Sequence, residues 1–393
     1  MSEASFKFEK ANRNLMERLF EPPAVGKMSP VANVVAHFLL ALWSLFVLFP
    51  LYWVVITAFK DAAAVNLGPF YIPFVDFQPN LDAWRVNFSD PSCSLTSMPR
   101  QIGLIAYNSF AFIVSPLVTL QPMEPEACRV VLAFTNSIVI SVAATAVCVA
   151  FGSMAAYALA RILYKPKLGN IVMFVVLTLL LIVATSFAGI PWWASAAVAL
   201  ALFFFLARAF GKHFTRTLGN GDILFWIISQ RILPPIVVVI PVYMMFQAIG
   251  MLDTHFALIT AYAVANLPIV VWLMHDFFAS LPIELEESAQ LDGATRFAIF
   301  WDIVLPLTRP GLAATTLLAL ILNWNEYLFA VFLATAKVQT MPIMVAAKNA
   351  GEKGIFWWEM CAIIVIMIVP VIIMAIILQR FIARGVLLGA VKG

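Results

Sequence analysis

The chain has 393 residues, 63% of them apolar and only 11% charged, with a formal net charge of +3. An ordinary soluble domain carries about a quarter charged residues, so this balance excludes a water-soluble globular protein and places the chain in a lipid bilayer. Its Lys and Arg residues are scattered and form no basic footprint, which excludes a nucleic-acid partner.

A spanning helix needs about 20 mostly apolar residues whose backbone polar groups are satisfied within the helix. Residues 1–30 predict a segment lying on the membrane surface: Phe8, Leu15, Leu19 and Phe20 stand among charges, and Pro22 and Pro23 stop the helix. The polar opening "MSEASFKFEK" lacks the short apolar core of a cleavable signal. The first span is expected within 31–60, and a long external loop over 61–131. That loop holds two aromatic-proline clusters, "LGPFYIPF" and "FQPNLDAW", and is long enough to cover a pore mouth or to be a passive solvated connection. Cys93 and Cys128 share it, where a disulfide forms only if the loop faces an oxidising compartment. Cys148 and Cys361 lie inside spans and read as small apolar fillers.

The second span falls within 132–161. Two apolar runs follow, 169–189 and 192–210, then runs at 223–247, 256–279, 308–333 and 360–381, before a tail at 386–393. The fold class is therefore an all-α polytopic membrane protein with about eight transmembrane helices. Counting the apolar stretch 102–120 as a further span would put Arg161, Lys165 and Lys167 outside, so it reads as an interfacial or re-entrant part of the long loop. With that map, the basic residues of the N-terminal segment, of the loops after the second and fourth spans and of the C-terminus all fall on one side. The short loops near 189–193 and 248–255 have no Lys or Arg. Basic residues collect in the cytoplasm, so both termini are expected there.

The stretch "ELEESAQLDGATRFAIFWDIVLP", 284–306, is too polar for lipid. Glu284, Glu286 and Glu287 suit the first turns of a helix starting near Ser280 and Pro282 and running to about Leu291. Asp292-Gly293 reads as a turn. A second helix should present Phe297, Phe300, Trp301 and Val304 as one apolar stripe and end at Pro306. The acids, the small residues Ser288 and Ala289 and the glycine hinge together suggest a docking element.

This stretch resembles the EAA loop of the membrane subunits of binding-protein-dependent ABC importers. The family pattern is EAA, three residues, G, nine residues, I, one residue, LP. Glu287-Ser288-Ala289, Gly293, Ile303 and Leu305-Pro306 keep every spacing, with Ser288 for the first alanine. "NSIVIS", "AAYALAR", "RILPPIVVVIPVYMMF" and "NWNEYLFAVFLAT" narrow the resemblance to maltose-type carbohydrate permeases. It covers roughly 31–60, 132–161 and 221–385, and leaves 162–220 as a two-span hairpin inserted into a six-span importer core. The resemblance implies that Glu286, Glu287, Ser288, Ala289, Asp292, Gly293, Ile303, Leu305 and Pro306 couple the spans to an ATP-hydrolysing subunit. It implies as partners a second permease, two ATP-binding subunits and an external solute-binding protein, with ATP and Mg bound by those partner chains.

The chain itself has no phosphate-binding loop, since Gly211-Lys212 is followed by His213 and lacks the upstream glycine. Its four histidines, His37, His213, His255 and His275, are scattered without ligand spacing, so neither a metal site nor a catalytic set is expected. His37 reads as a packed, hydrogen-bonded residue. Polar groups within spans face a bundle interior or an aqueous path. Gln230 and Arg231 before Leu233-Pro234-Pro235, Asn266 before Pro268, and Asn323, Trp324, Asn325 and Glu326 are therefore the substrate-path candidates. Amides, a carboxylate and an indole suit a sugar, and the same groups suit bonding between helices. The competing function, an ion-coupled secondary transporter, would want paired intramembrane carboxylates. A membrane-embedded enzyme would want clustered catalytic groups.

Overall fold

The computed structural model describes residues 19–20, 28–88, 129–188, 192–211, 213–348 and 356–389. Their regular structure is helical, and apart from two isolated bridges no strand occurs among the described residues. The N-terminal surface helix, the stretch 102–120, Cys93 and Cys128 lie outside the described residues. The chain divides into two units, 1–89 with 345–366, and 90–344 with 367–393.

In the first unit, α1 (Pro30–Thr57) starts where the Ser29 hydroxyl accepts the Ala32 N–H at 3.2 Å, with Pro30 in the first turn. It is apolar all round and exposed along nearly its whole length, a surface that suits lipid. His37 is exposed rather than packed, and its Nδ1 lies 2.7 Å from the Asn33 carbonyl one turn earlier. Two short helices follow, α2 (Ala62–Asn66), capped by Asp61, and α3 (Asp82–Phe88). Just before α2, Lys60 is buried, donating to the Phe70 carbonyl over the Phe77 ring, and burial pulls its pKa down.

The second unit begins with α4 (Arg129–Arg161), followed by α5 (Leu168–Ala188) and α6 (Trp192–Phe210). The pair α5 and α6 packs chiefly on itself, with Phe174 and Phe203 edge to face at 5.1 Å. Its neck is narrow. The Leu168 N–H donates to Arg216 O and the Leu218 N–H to Pro166 O, both at 2.9 Å, while Lys167 Nζ donates to Gly211 O at 2.6 Å. Asn220 then closes the neck: its amide donates to the Leu159 and Ile162 carbonyls at 2.7 and 2.6 Å, and its oxygen accepts the Tyr164 N–H at 2.9 Å. The carbonyls left open at the end of α4 are thus satisfied by the first residue of the next helix, α7 (Asn220–Ser229).

After a 3₁₀ turn over Gln230–Ile232, the chain bends by 90° into α8 (Pro235–Ala248). Leu233 is extended, as a residue before proline tends to be, so Pro234-Pro235 interrupts the expected 223–247 span as anticipated. Then come α9 (His255–Ala279), α10 (Glu284–Leu291), α11 (Arg296–Leu307) and α12 (Arg309–Trp324), with an 83° bend between α11 and α12. The short α13 (Leu328–Leu333) and α14 (Met341–Ala347) precede the last helix, α15 (Trp357–Gly389). The apolar run 308–333 is therefore not one span: it breaks after Trp324, where Asn325 leaves the helical conformation. Four described helices are long and apolar enough to cross a membrane, or six if each bent pair is one span. The eight of the sequence reading is reached only by adding α5 and α6, whose described apolar stretches, Leu168–Leu181 and Ala197–Phe210, are shorter.

Helices α4, α9 and α12 form the centre of this unit around Ile140, Ala144, Val270, Met274 and Ala319, with Cys148 a buried free thiol among them, as expected. Cys361 is likewise free and buried, in the first unit. Gly152 sets the approach of α4 to α9, because a Cβ there would stand 2.6 Å from Val270 Cγ1.

The loop from α8 to α9 is pinned by one carboxylate. Asp253 accepts the consecutive backbone N–H groups of Thr335, Ala336, Lys337 and Val338 at 3.0–3.3 Å, while its own N–H donates to Leu333 O. Burial works to raise its pKa, but the four donors outweigh it and hold the group below the usual carboxylate range. A depressed folded pKa adds stability above the unfolded value of about 4 and loses it as pH falls through the folded one. Asp253→Asn should therefore lower stability by about 1–2 kcal/mol at neutral pH. It should also flatten the acid limb below about pH 4, checked by the thermal midpoint against pH in detergent.

Candidate functional site

The polar stretch folds as a helix, a turn and a helix. At the turn Gly293 has φ of +85°, the Gly293 N–H donates to Gln290 O, and the Ala294 N–H donates to Ala289 O, both at 3.0 Å. Those two bonds are the Schellman pattern, with Ala289 three positions before the cap residue Asp292 and Gly293 just after it. The spacing from the small pair Ser288-Ala289 to the glycine is thus the spacing of a helix cap. A Cβ on Gly293 would meet nothing within 4 Å, so the glycine is required by its backbone angle and not by space.

The outer face of α10 is open. Glu284, Leu285, Glu287, Ser288 and Asp292 are exposed, and Leu291 is 89% exposed. Glu286, read from sequence as one more outward acid, is turned inward and only 4% exposed. Its Oε1 accepts from Arg161 Nε at 2.6 Å and its Oε2 from the Tyr157 hydroxyl at 2.7 Å. The helical period explains the difference, since with Leu285 and Glu287 facing out the position between them falls on the buried face.

Helix α11 departs from its expected form in two ways. Its apolar residues do not make one stripe: Phe300 and Val304 are buried, but Phe297 and Trp301 are 62% and 49% exposed and pair edge to face at 6.1 Å. Nor does Pro306 end the helix, which runs on to Leu307. A π-turn over Phe300–Val304, with the Leu305 N–H on the Phe300 carbonyl, widens the helix ahead of a ring that cannot donate. Ile303 and Leu305 are partly buried, Leu305 against the core.

A second polar set lies where α7 breaks. The Arg231 guanidinium donates to Asn266 Oδ1, Asn266 Nδ2 to Asn323 Oδ1 at 2.6 Å, and Asn323 Nδ2 to Thr145 Oγ1 at 2.9 Å. One line of hydrogen bonds therefore runs from the break to α9, α12 and α4. Arg231 and Gln230 are exposed, whereas Asn266 and Asn323 are buried. Of the other candidates, Trp324 is only 2% exposed, its indole N–H donating to Met367 O at 3.1 Å and its ring edge to face with Phe134. In this structure its ring is taken up in packing between helices. Asn325 is exposed but bonds back to Ile321 O, and Glu326 Oε1 accepts the Phe329 N–H at 3.2 Å, capping α13. Among the described residues no group of three or more His, Cys, Asp or Glu could hold a metal ion.

Bent helix pairs meeting at buried polar groups are features of membrane transport proteins. Residues 218–388 match the family of binding-protein-dependent transport system inner membrane components. The ABC transporter permease protein ORF1 of Streptomyces antibioticus is 31% identical over 200 residues, 51% of this chain and 86% of that one. The trehalose/maltose transport system permease protein MalG of Thermococcus litoralis is 32% identical over 176 residues, 44% of this chain and 63% of that one. Two other matched permeases are likewise spanned over only 63% and 58% of their lengths. The fold is that of a bacterial ABC transporter that imports the acidic polysaccharide alginate, with a TM-score of 0.51, 20% identity, and 89% of this chain and 96% of that one covered. The chain belongs to the ABC transporter permease family of multi-pass inner membrane components.

Proposed function

We propose that the chain is one membrane subunit of an ATP-driven importer of a carbohydrate or polyol, working with a second permease, two ATP-hydrolysing subunits and an external solute-binding protein. Family membership supports the importer, and the trehalose/maltose permease among the relatives supports a sugar-like cargo. The observation that carries the coupling role is the open face of α10, where Glu284, Glu287 and Leu291, at i, i+3 and i+7, stand exposed together on a helix closed by a glycine cap. Such a face in a membrane chain suits a partner protein at the cytoplasmic surface. ATP-driven movement of that partner would displace α10 and α11 and rock the bent helices between two access states. Residues 162–220 read as a hairpin inserted into a six-span core, which leaves both termini on one side, and the basic residues beside them favour the cytoplasm. The polar line from Arg231 to Thr145 borders the cargo path, with Arg231 as its accessible end.

Glu287→Lys combined with Leu291→Asp should leave the chain in the membrane but release the ATP-hydrolysing subunit during affinity purification. Retention of that subunit at the wild-type ratio would contradict the docking role.

A further inference from the structure

Beneath the docking face lies a joint that transport by such a subunit would need. We infer that Arg161, Glu286 and Tyr157 form a clamp that makes α10 move as one body with α4 and α9. This rests on the coupling role proposed for α10, but the clamp itself is a set of contacts within the chain. Arg161 is the last residue of α4, and its partly buried side chain lies against the buried Glu286. While Nε holds Glu286, Nη2 donates to the Phe278 and Leu281 carbonyls at 2.9 and 3.0 Å, at the end of α9. One guanidinium fork therefore ties three helices, which only a planar multi-donor group does. Tyr157, one turn back on α4, takes the second carboxylate oxygen, so α4 holds Glu286 at both oxygens.

The Tyr157 ring of the clamp packs with two others, from α9 and α11. Tyr157 lies 5.9 Å from Phe278 and 5.1 Å from Phe300, and Phe278 lies 6.1 Å from Phe300. Phe300 comes from α11, so both halves of the helix-turn-helix element meet at this point. A pair whose carboxylate is buried beside such packing is held firmly, because separation would leave that charge uncompensated. A push on the outer face of α10 is thereby passed to the ends of α4 and α9 and not absorbed in the connecting loop. Arg161, Glu286 and Tyr157 are positioning residues.

The test uses the chain purified with its native ATP-hydrolysing subunits and carrying spin labels at the exposed Met154 on α4 and Leu291 on α10. The label separation should be the same without nucleotide and with ATP and vanadate in the wild type. In Arg161→Gln and in Glu286→Gln it should shift by about 2 Å or more between the two states, the scale of interface helix movements. A wild-type separation that shifts as much, or both variants behaving as the wild type, would overturn the clamp. Glu286→Gln keeps the side-chain shape and an acceptor, so it decides the matter alone if Arg161→Gln is lost from the membrane. Should no ATP-hydrolysing subunit accompany even the wild type, the coupling role falls. The label distribution in the isolated chain, broader in the variants or unchanged, then still decides the clamp.

Discussion

Gly293→Val is expected to abolish transport, while Gly293→Asn keeps most of it. Both side chains have room, because nothing lies within 4 Å of the Cβ position, so the difference isolates the backbone angle of +85°. A residue with a Cβ pays roughly 1–2 kcal/mol in the left-handed region, a β-branched one more, and asparagine least. Valine would escape by abandoning the two cap bonds at Gly293 and Ala294. The axis of α10 would then turn relative to α11 and carry the open face away from its partner. Sugar uptake by cells, together with retention of the ATP-hydrolysing subunit, reads this out. Equal losses for valine and asparagine would show that side-chain bulk, not conformation, governs the site.

The second large effect is expected at Asn266, which joins Arg231 to Asn323. Asn266→Leu would leave the buried Asn323 Oδ1 without its donor, at about 1–3 kcal/mol, while the exposed Arg231 guanidinium turns to water. Polar contacts between membrane helices are often worth under about 1 kcal/mol, because a separated helix finds other partners. Here the buried position of both asparagines favours the upper range. Adding Asn323→Leu should cost little more, because the second change removes the group the first had orphaned. Thermal midpoints of the single and double variants in lipid nanodiscs test this. Strictly additive losses would mean that the line is not one network.

The parts legible in the sequence were those governed by local rules. The turn at Gly293, the end of α10 and the break at Pro234-Pro235 follow from backbone conformations that particular residues favour or forbid. Groups whose role depends on a partner far along the chain were not legible. Arg161 reads as one more basic loop residue, yet it is paired with a buried glutamate 125 positions away. Thr145 gives no signal at all, because a lone threonine in an apolar helix usually bonds to its own backbone, and only the fold brings it to Asn323. The burial of Trp324 is not legible either, since an indole among amides suits a sugar and a packed helix interface equally. Pro306 was misplaced because the π-turn that accommodates it depends on packing around Phe300 and Val304, both buried.

Asn220 has a consequence for how the chain could have grown. Its amide spans the gap between the end of α4 and the start of α7, so those two helices are stitched together whatever lies between them. The family match begins at residue 218, beside this stitch. The neck thus has the form of a port, where the chain leaves and rejoins at one point and the register of α4 and α7 is set by Asn220 itself.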